Sequence, residues 1–269
     1  MSGLRGFAVA CHPAPTIGVT AITALLAWSI GWRGEALGLV ALAVLLGQLS
    51  VGWGNDAFDS DHDRRAARAG KPTVTEDVSP RALWIGACVA LAAAVALSWA
   101  VAGWLGGSFH VLALAMAWLY NLRLSRTSWS WLPYAVAFAC APPFLTFGLD
   151  GRAPPLWMVA AFAVIAVSAH VANALPDIAD DRGSGLGGLA VRLGERRSVR
   201  LCWALLALGT GLVVVATAGR TPLAAAVVAV AFLGAAAVAR RRERRDASFA
   251  ALLANAANDV AAIAIIPAL

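Results

Sequence analysis

The sequence predicts an all-α membrane protein: a polytopic bundle of about nine transmembrane helices forming one domain over residues 1–269. Three observations predict it. Sixty per cent of the 269 residues are hydrophobic and only 13% are charged, with a mean hydropathy of +0.74. Soluble domains carry about 25% charged residues, so this composition excludes a soluble globular domain and a disordered chain. Apolar runs of membrane-spanning length recur along the whole sequence. The basic residues between them fall overwhelmingly on one side.

A crossing needs about 20 mostly apolar residues. Such runs occupy 14–31, 36–54, 82–102, 108–122, 131–149, 156–176, 199–218, 222–239 and 247–268. The fourth is short and borrows from the turn at Trp104–Gly107. The ninth is interrupted by Asn255, Asn258 and Asp259. An acid inside a bilayer marks either a functional site or a helix-packing hydrogen bond, and both readings stand for Asp259.

If nine helices alternate in direction, 18 of the 21 Lys and Arg residues share one side, and only Arg33, Arg152 and Arg220 face the other. The positive-inside rule then places the N-terminus and the long loops in the cytoplasm. The net charge of +6 records topology rather than nucleic-acid binding, since no basic domain stands apart from the apolar runs. Met1–Thr16 has one basic residue, then His12 and two prolines before the first run, and does not read as a cleavable signal peptide. Cys11, Cys88, Cys140 and Cys202 lie far apart in apolar stretches and read as small hydrophobes.

Two cytoplasmic loops, 55–81 and 177–198, are long and hold ten of the 15 acidic residues. Structureless loops of this length are usually functional. The first opens as Asn55-Asp56-Ala57-Phe58-Asp59-Ser60-Asp61-His62-Asp63-Arg64. On a helix, Asp56, Asp59 and Asp63 share one face. The second opens with Asn173, Asp177 and Asp181, again one face. Like charges so spaced repel unless a cation intervenes, and Mg²⁺, which binds through carboxylates and substrate phosphates, is suited to the place. Each cluster alone reads equally well as a solvated helix end. Together, four crossings apart, they look like an internal repeat whose halves face a shared site.

These residues carry a resemblance. Asn55-Asp56-x-x-Asp59-x-x-x-Asp63 resembles the first aspartate-rich motif of the UbiA superfamily of intramembrane prenyltransferases, and Asn173-x-x-x-Asp177-x-x-x-Asp181 resembles the second. Lys71-Pro72, Tyr120-Asn121-Leu122-Arg123-Leu124-Ser125-Arg126 and Leu189-Ala190-Val191-Arg192-Leu193-Gly194 are similar to further family segments, so the likeness covers essentially the whole chain. The resemblance implies a helical bundle around a central cavity, with prenyl diphosphate bound at its cytoplasmic end. It further implies that Asp56, Asp59, Asp63, Asp177 and Asp181 coordinate two Mg²⁺ ions as the catalytic centre, helped by Asn55 and Asn173. Arg64, Lys71, Arg123 and Arg126 would hold diphosphate oxygens, with Tyr120 nearby. The partners implied are a prenyl diphosphate, an aromatic or lipophilic acceptor and membrane lipid, and no nucleic acid.

The departures concern the acceptor. Family members that prenylate aromatic acids usually have a basic residue before a proline near helix 1; here the sequence is Cys11-His12-Pro13-Ala14-Pro15. His12 is therefore the candidate for orienting or deprotonating an acceptor, and equally a headgroup-level histidine. The alternative on the same scaffold is a terpene cyclase, which needs no second substrate. A transporter is disfavoured because the carboxylates gather at one membrane face rather than at mid-membrane. Gly183-Ser184-Gly185-Leu186-Gly187-Gly188 fits GxGxxG but lacks the preceding strand a dinucleotide site requires. His170 shares a helix face with Asn173 and reads as a cavity or core histidine.

Overall fold

Glycine and proline divide the chain into helices in this computed structural model, which describes residues 2–65, 70–176, 178, 187–218, 222–241, 252, 256 and 259–260. In order these are α1 (Ser2–Ala10), α2 (Pro13–Ile30), α3 (Gly34–Arg65), α4 (Pro80–Leu122), α5 (Trp131–Ala139), α6 (Ala141–Asp150), α7 (Leu156–Ala174), α8 (Leu189–Leu193), α9 (Glu195–Thr217) and α10 (Pro222–Arg241). A 3₁₀ turn, Leu124–Arg126, follows α4. No strand occurs among the described residues. Six of these segments, counting α5 and α6 as one, are long and apolar enough to cross a membrane.

A straight helix of 43 residues would extend about 65 Å, twice the roughly 30 Å hydrocarbon core of a bilayer. α4 avoids this by folding back at Gly103, whose φ of 65° and ψ of −179° are not helical. Beyond that point the chain retraces itself. Ser98 Oγ meets His110 Nδ1 at 2.6 Å, Trp99 Nε1 donates to Ser108 Oγ at 3.2 Å, and the Trp99 and Trp104 rings stack at 5.1 Å. The two arms are the expected 82–102 and 108–122 runs. The 131–149 run is likewise one crossing with a joint at Cys140, because Pro142 and Pro143 cannot continue the amide ladder of α5. The first eight expected runs thus coincide with helices. Of the ninth, only 252, 256, 259 and 260 lie among the described residues, all helical. Asp259 there is fully buried, and Thr210 Oγ1 donates to its Oδ2 at 2.6 Å.

α1 was not expected from hydropathy. It is short and two-sided: Phe7 packs edge-on against Trp53 at 5.1 Å, while Leu4 on the other side is 83% exposed.

α3 packs chiefly on α4 and α2, whereas α7 packs chiefly on α9 and α5. α3, which bears the first acidic motif, and α7, which bears Asn173 of the second, therefore belong to different packing groups. One apolar core joins the groups at the far end of the bundle, with Leu26, Val40, Val44, Phe144, Leu145, Phe162 and Val213. Val44 lies twelve residues before Asp56, about 18 Å along the helix. Small residues permit close approach there: a Cβ on Gly106 would sit 2.8 Å from the Gly148 backbone nitrogen. The opposite end carries the first acidic motif and its basic partners.

Candidate active site

α3 does not stop where its apolar run ends. It continues unbroken to Arg65, which makes the helical spacing of the first motif real. Asp56, Ser60 and Asp63 are buried, Asn55 and Asp59 are half-buried, and Arg64 and Arg65 are exposed. Arg64 approaches Asp61 at 3.5 Å with both side chains in solvent, an ion pair of little energetic consequence.

Asp56 and Asp59 meet different partners. Asp56, 1% exposed, has Lys71 Nζ at 2.6 Å and His12 Nε2 at 3.0 Å, both on Oδ1. Lys71 arrives on a strap, Gly70–Ser79. The Val74 and Thr75 N–H groups bond Lys71 O, Asp77 N–H bonds Pro72 O, and Val78 is buried with Ala10, Ala57 and Leu83. Ser79 Oγ then caps α4 by accepting from Ala82 N–H at 3.2 Å. His12 connects α1 to α2 in the left-handed region, with φ 53°. It reaches Asp56 because Gly52, one turn earlier in α3, lets the helix approach the Cys11 backbone; a Cβ there would sit 2.7 Å from Cys11 O.

Asp59 faces α4. Its Oδ1 accepts from Arg126 Nη2 at 3.0 Å, and Asn55 Nδ2 lies 3.5 Å from both its Oδ2 and Asn121 Oδ1. Asn121 is buried and donates through Nδ2 to Val51 O at 2.9 Å, fastening the end of α4 to α3. Sequence reading passed over Asn121; the available signal was an amide among apolar neighbours immediately before the basic stretch. Trp118 adds a second fastening by donating Nε1–H to Ser50 Oγ at 3.0 Å. Arg123 is exposed at the C-terminal cap of α4.

Tyr120 stands edge-on to Tyr134 at 5.1 Å and to His170 at 5.6 Å, and Tyr134 lies 4.5 Å from His170. His170 Nε2 is 3.0 Å from Ser130 Oγ, which also accepts the Leu189 N–H at 3.1 Å. This aromatic and hydrogen-bonded cluster ties α4, α5, α7 and α8 together one turn before the exposed Asn173. Ser130 was not anticipated from sequence. Asp177 and Asp181 lie outside the described residues, as do Asp180 and residues 182–186 of the glycine-rich run.

Among the described residues no three His, Cys, Asp or Glu side chains converge on a common point. What the first motif offers is hard oxygen donors, the carboxylates of Asp59 and Asp63 with the Asn55 amide, on one flank of α3. That donor set suits Mg²⁺. The buried Asp56 carboxylate needs counter-charge, which Lys71 supplies, while Arg126 pairs with the half-buried Asp59.

The model of the UbiA prenyltransferase family matches residues 16–258. No curated protein matches the chain significantly. Among solved structures, a UbiA homologue from Archaeoglobus fulgidus bound to GPP and Mg²⁺ is similar at 17% identity and a TM-score of 0.75, covering 97% of this chain and 99% of that one. The same homologue bound to DMAPP and Mg²⁺ gives 17% identity, a TM-score of 0.72 and the same coverage. An apo UbiA homologue from Aeropyrum pernix K1 gives 22% identity and a TM-score of 0.73, covering 92% and 95%.

Proposed function

Since the chain belongs to the UbiA prenyltransferase family, we propose that it is a Mg²⁺-dependent intramembrane prenyltransferase, moving an isoprenoid chain from its diphosphate to an aromatic or lipophilic acceptor. The observation that carries this reading is the gathering of Lys71 and Arg126 onto the aspartates at the end of α3. Anionic and cationic groups that will share a diphosphate and its metal are thus already adjacent.

Asp59 and Asp63, with Asp177 and Asp181 from the other half and helped by Asn55 and Asn173, would hold the metal; Asp56, the fifth carboxylate of the two motifs, has its Oδ1 engaged by Lys71 and His12. Bound there, Mg²⁺ supplies positive charge to the departing diphosphate. Arg126 and Lys71 bind diphosphate oxygens, with Arg64 and Arg123 at the rim. Tyr120 and Tyr134 offer ring faces that stabilise an allylic cation, and the surrounding apolar helices keep water from it. His12, its side chain 41% exposed, holds the acceptor.

The deciding experiment gives purified protein geranyl, farnesyl and geranylgeranyl diphosphate with Mg²⁺, with and without phenols and quinone precursors, and reads products by mass spectrometry. Prenylated acceptor is expected. A cyclic hydrocarbon or terpene alcohol from donor alone, formed undiminished in His12→Ala, would reject transfer in favour of the terpene cyclase. A transferase needs a second substrate held within about 3–3.5 Å of the allylic carbon, whereas a cyclase has no use for His12.

The 18-to-3 division of basic residues supports a multi-pass protein with its N-terminus and both acidic loops in the cytoplasm. A cysteine placed at Arg152 should react with impermeant maleimide on intact cells. External labelling of one placed in 187–198 would reverse the orientation.

A further inference from the structure

Asn55, Asp59 and Asp63 repeat the spacing of Asn173, Asp177 and Asp181 position for position. Asp56 stands outside that repeat: the residue after Asn173 is Ala174, which has no carboxylate to offer. The structure sets Asp56 apart as well. Asp59, 27% exposed, addresses Arg126 and α4, while Asp56 is 1% exposed and addresses Lys71 and His12. Three segments meet at this one carboxylate: the α1–α2 junction, 44 residues away in sequence, α3 itself and the Gly70–Ser79 strap.

We propose that Asp56 is a positioning residue rather than a metal ligand, a buried clasp that fixes Lys71 and His12 at the mouth of the site. The proposal rests on the functional reading above for the roles of Lys71 and His12. Both partners need such a clasp. The lysine side chain is long and flexible, so a cation free to wander would lose much of its grip on a diphosphate. Among the described residues, the rest of the strap is held by turn hydrogen bonds and by the burial of Pro72, Thr73 and Val78, and none of these fixes the Lys71 ammonium as Asp56 does. His12 occupies a left-handed conformation that is uncommon for a non-glycine residue and is kept there by packing and by this contact. Charge-assisted hydrogen bonds of this kind are short and directional, and removing one partner leaves the other charge uncompensated. Asp56 therefore acts on diphosphate through Lys71 and on acceptor through His12, and metal affinity resides in the repeated positions.

The test compares wild type, Asp56→Asn, Asp59→Asn and Lys71→Met in three measurements. These are Mn²⁺ binding by electron paramagnetic resonance with inorganic pyrophosphate, amide hydrogen exchange, and kinetics with geranyl diphosphate. Asp56→Asn should bind the same number of Mn²⁺ ions with affinity within about twofold, while exchange over 71–79 speeds up about tenfold. Its KM for geranyl diphosphate should rise about tenfold with a smaller change in kcat. Asp59→Asn should lose Mn²⁺ and leave strap exchange unchanged. Should Asp56→Asn fail to fold, Lys71→Met decides, because freeing the strap must raise exchange over 71–79 equally. Loss of Mn²⁺ in Asp56→Asn to the extent seen in Asp59→Asn would overturn the proposal, as would unchanged strap exchange. If wild type consumes no prenyl diphosphate, the functional reading falls, while the exchange data still decide whether Asp56 clasps the strap.

Discussion

Asp59→Ala should lower diphosphate release from a prenyl donor by about 10³-fold, and chelation should abolish it until Mg²⁺ is restored. Removing a single preorganised charge-stabilising group costs on the order of 10²–10³ in kcat, and Asp59 on this reading supports both a metal and the placement of Arg126. Chelation removes the whole positive centre, leaving a diphosphate beside the carboxylates of both motifs. Such an assembly repels itself at contact distances. The loss in Asp59→Ala should be catalytic and not structural. Its side chain is 27% exposed and paired with an arginine that is 49% exposed, and ion pairs in such surroundings contribute about 0–1 kcal/mol to stability. The midpoint of thermal unfolding in detergent should therefore stay within a few degrees, and Asp177→Ala should likewise lose most turnover. Full turnover in excess chelator would sink the mechanism.

Much of this was legible because bilayer length and hydropathy leave few alternatives to a helix. The runs at 36–54 and 156–176 are helices for the reason hydropathy gives: inside hydrocarbon the backbone must satisfy itself. The reversal at Gly103 was half-visible, as a short fourth run beside a glycine-rich turn. The helix Ser2–Ala10 was hidden, since a short two-sided helix lacks an apolar run of spanning length.

The site divided along the same line. The spacing of three and four residues between Asp56, Asp59 and Asp63 is helical, since all three lie on the unbroken helix α3. What spacing cannot tell is which partner each carboxylate meets. Asp56 and Asp59 differ by one turn, yet the first meets His12, 44 residues away, and the second meets Arg126, 67 residues away. Those choices are made by helix packing, through contacts such as Gly52 against Cys11 and Asn121 against Val51. Ser130 was equally invisible, because its role depends on His170 and Leu189 arriving from other helices.

Arg126→Ala should lower kcat/KM for prenyl diphosphate by about 10²-fold, with kcat falling and KM rising. The guanidinium is presented from a tight turn directly after α4, and that end of α4 is fastened to α3 by the Asn121 amide on Val51 O. Arg126 is therefore held at the motif by backbone geometry, not only by its 3.0 Å contact with Asp59. Its planar fork matches phosphate oxygens, and the charge on those oxygens grows as the allylic bond breaks. An interaction that strengthens towards the transition state appears in kcat, whereas one made equally in the ground state appears only in KM. Arg126→Lys keeps the charge but loses the fork, so it should fall between wild type and Arg126→Ala. The same substitutions should leave Mn²⁺ binding in place, since arginine neutralises Asp59 without supplying a metal ligand. If Arg126→Ala altered only the KM for acceptor, Arg123 and Arg126 would belong to the acceptor pocket. The diphosphate would then be left to Lys71 and its strap.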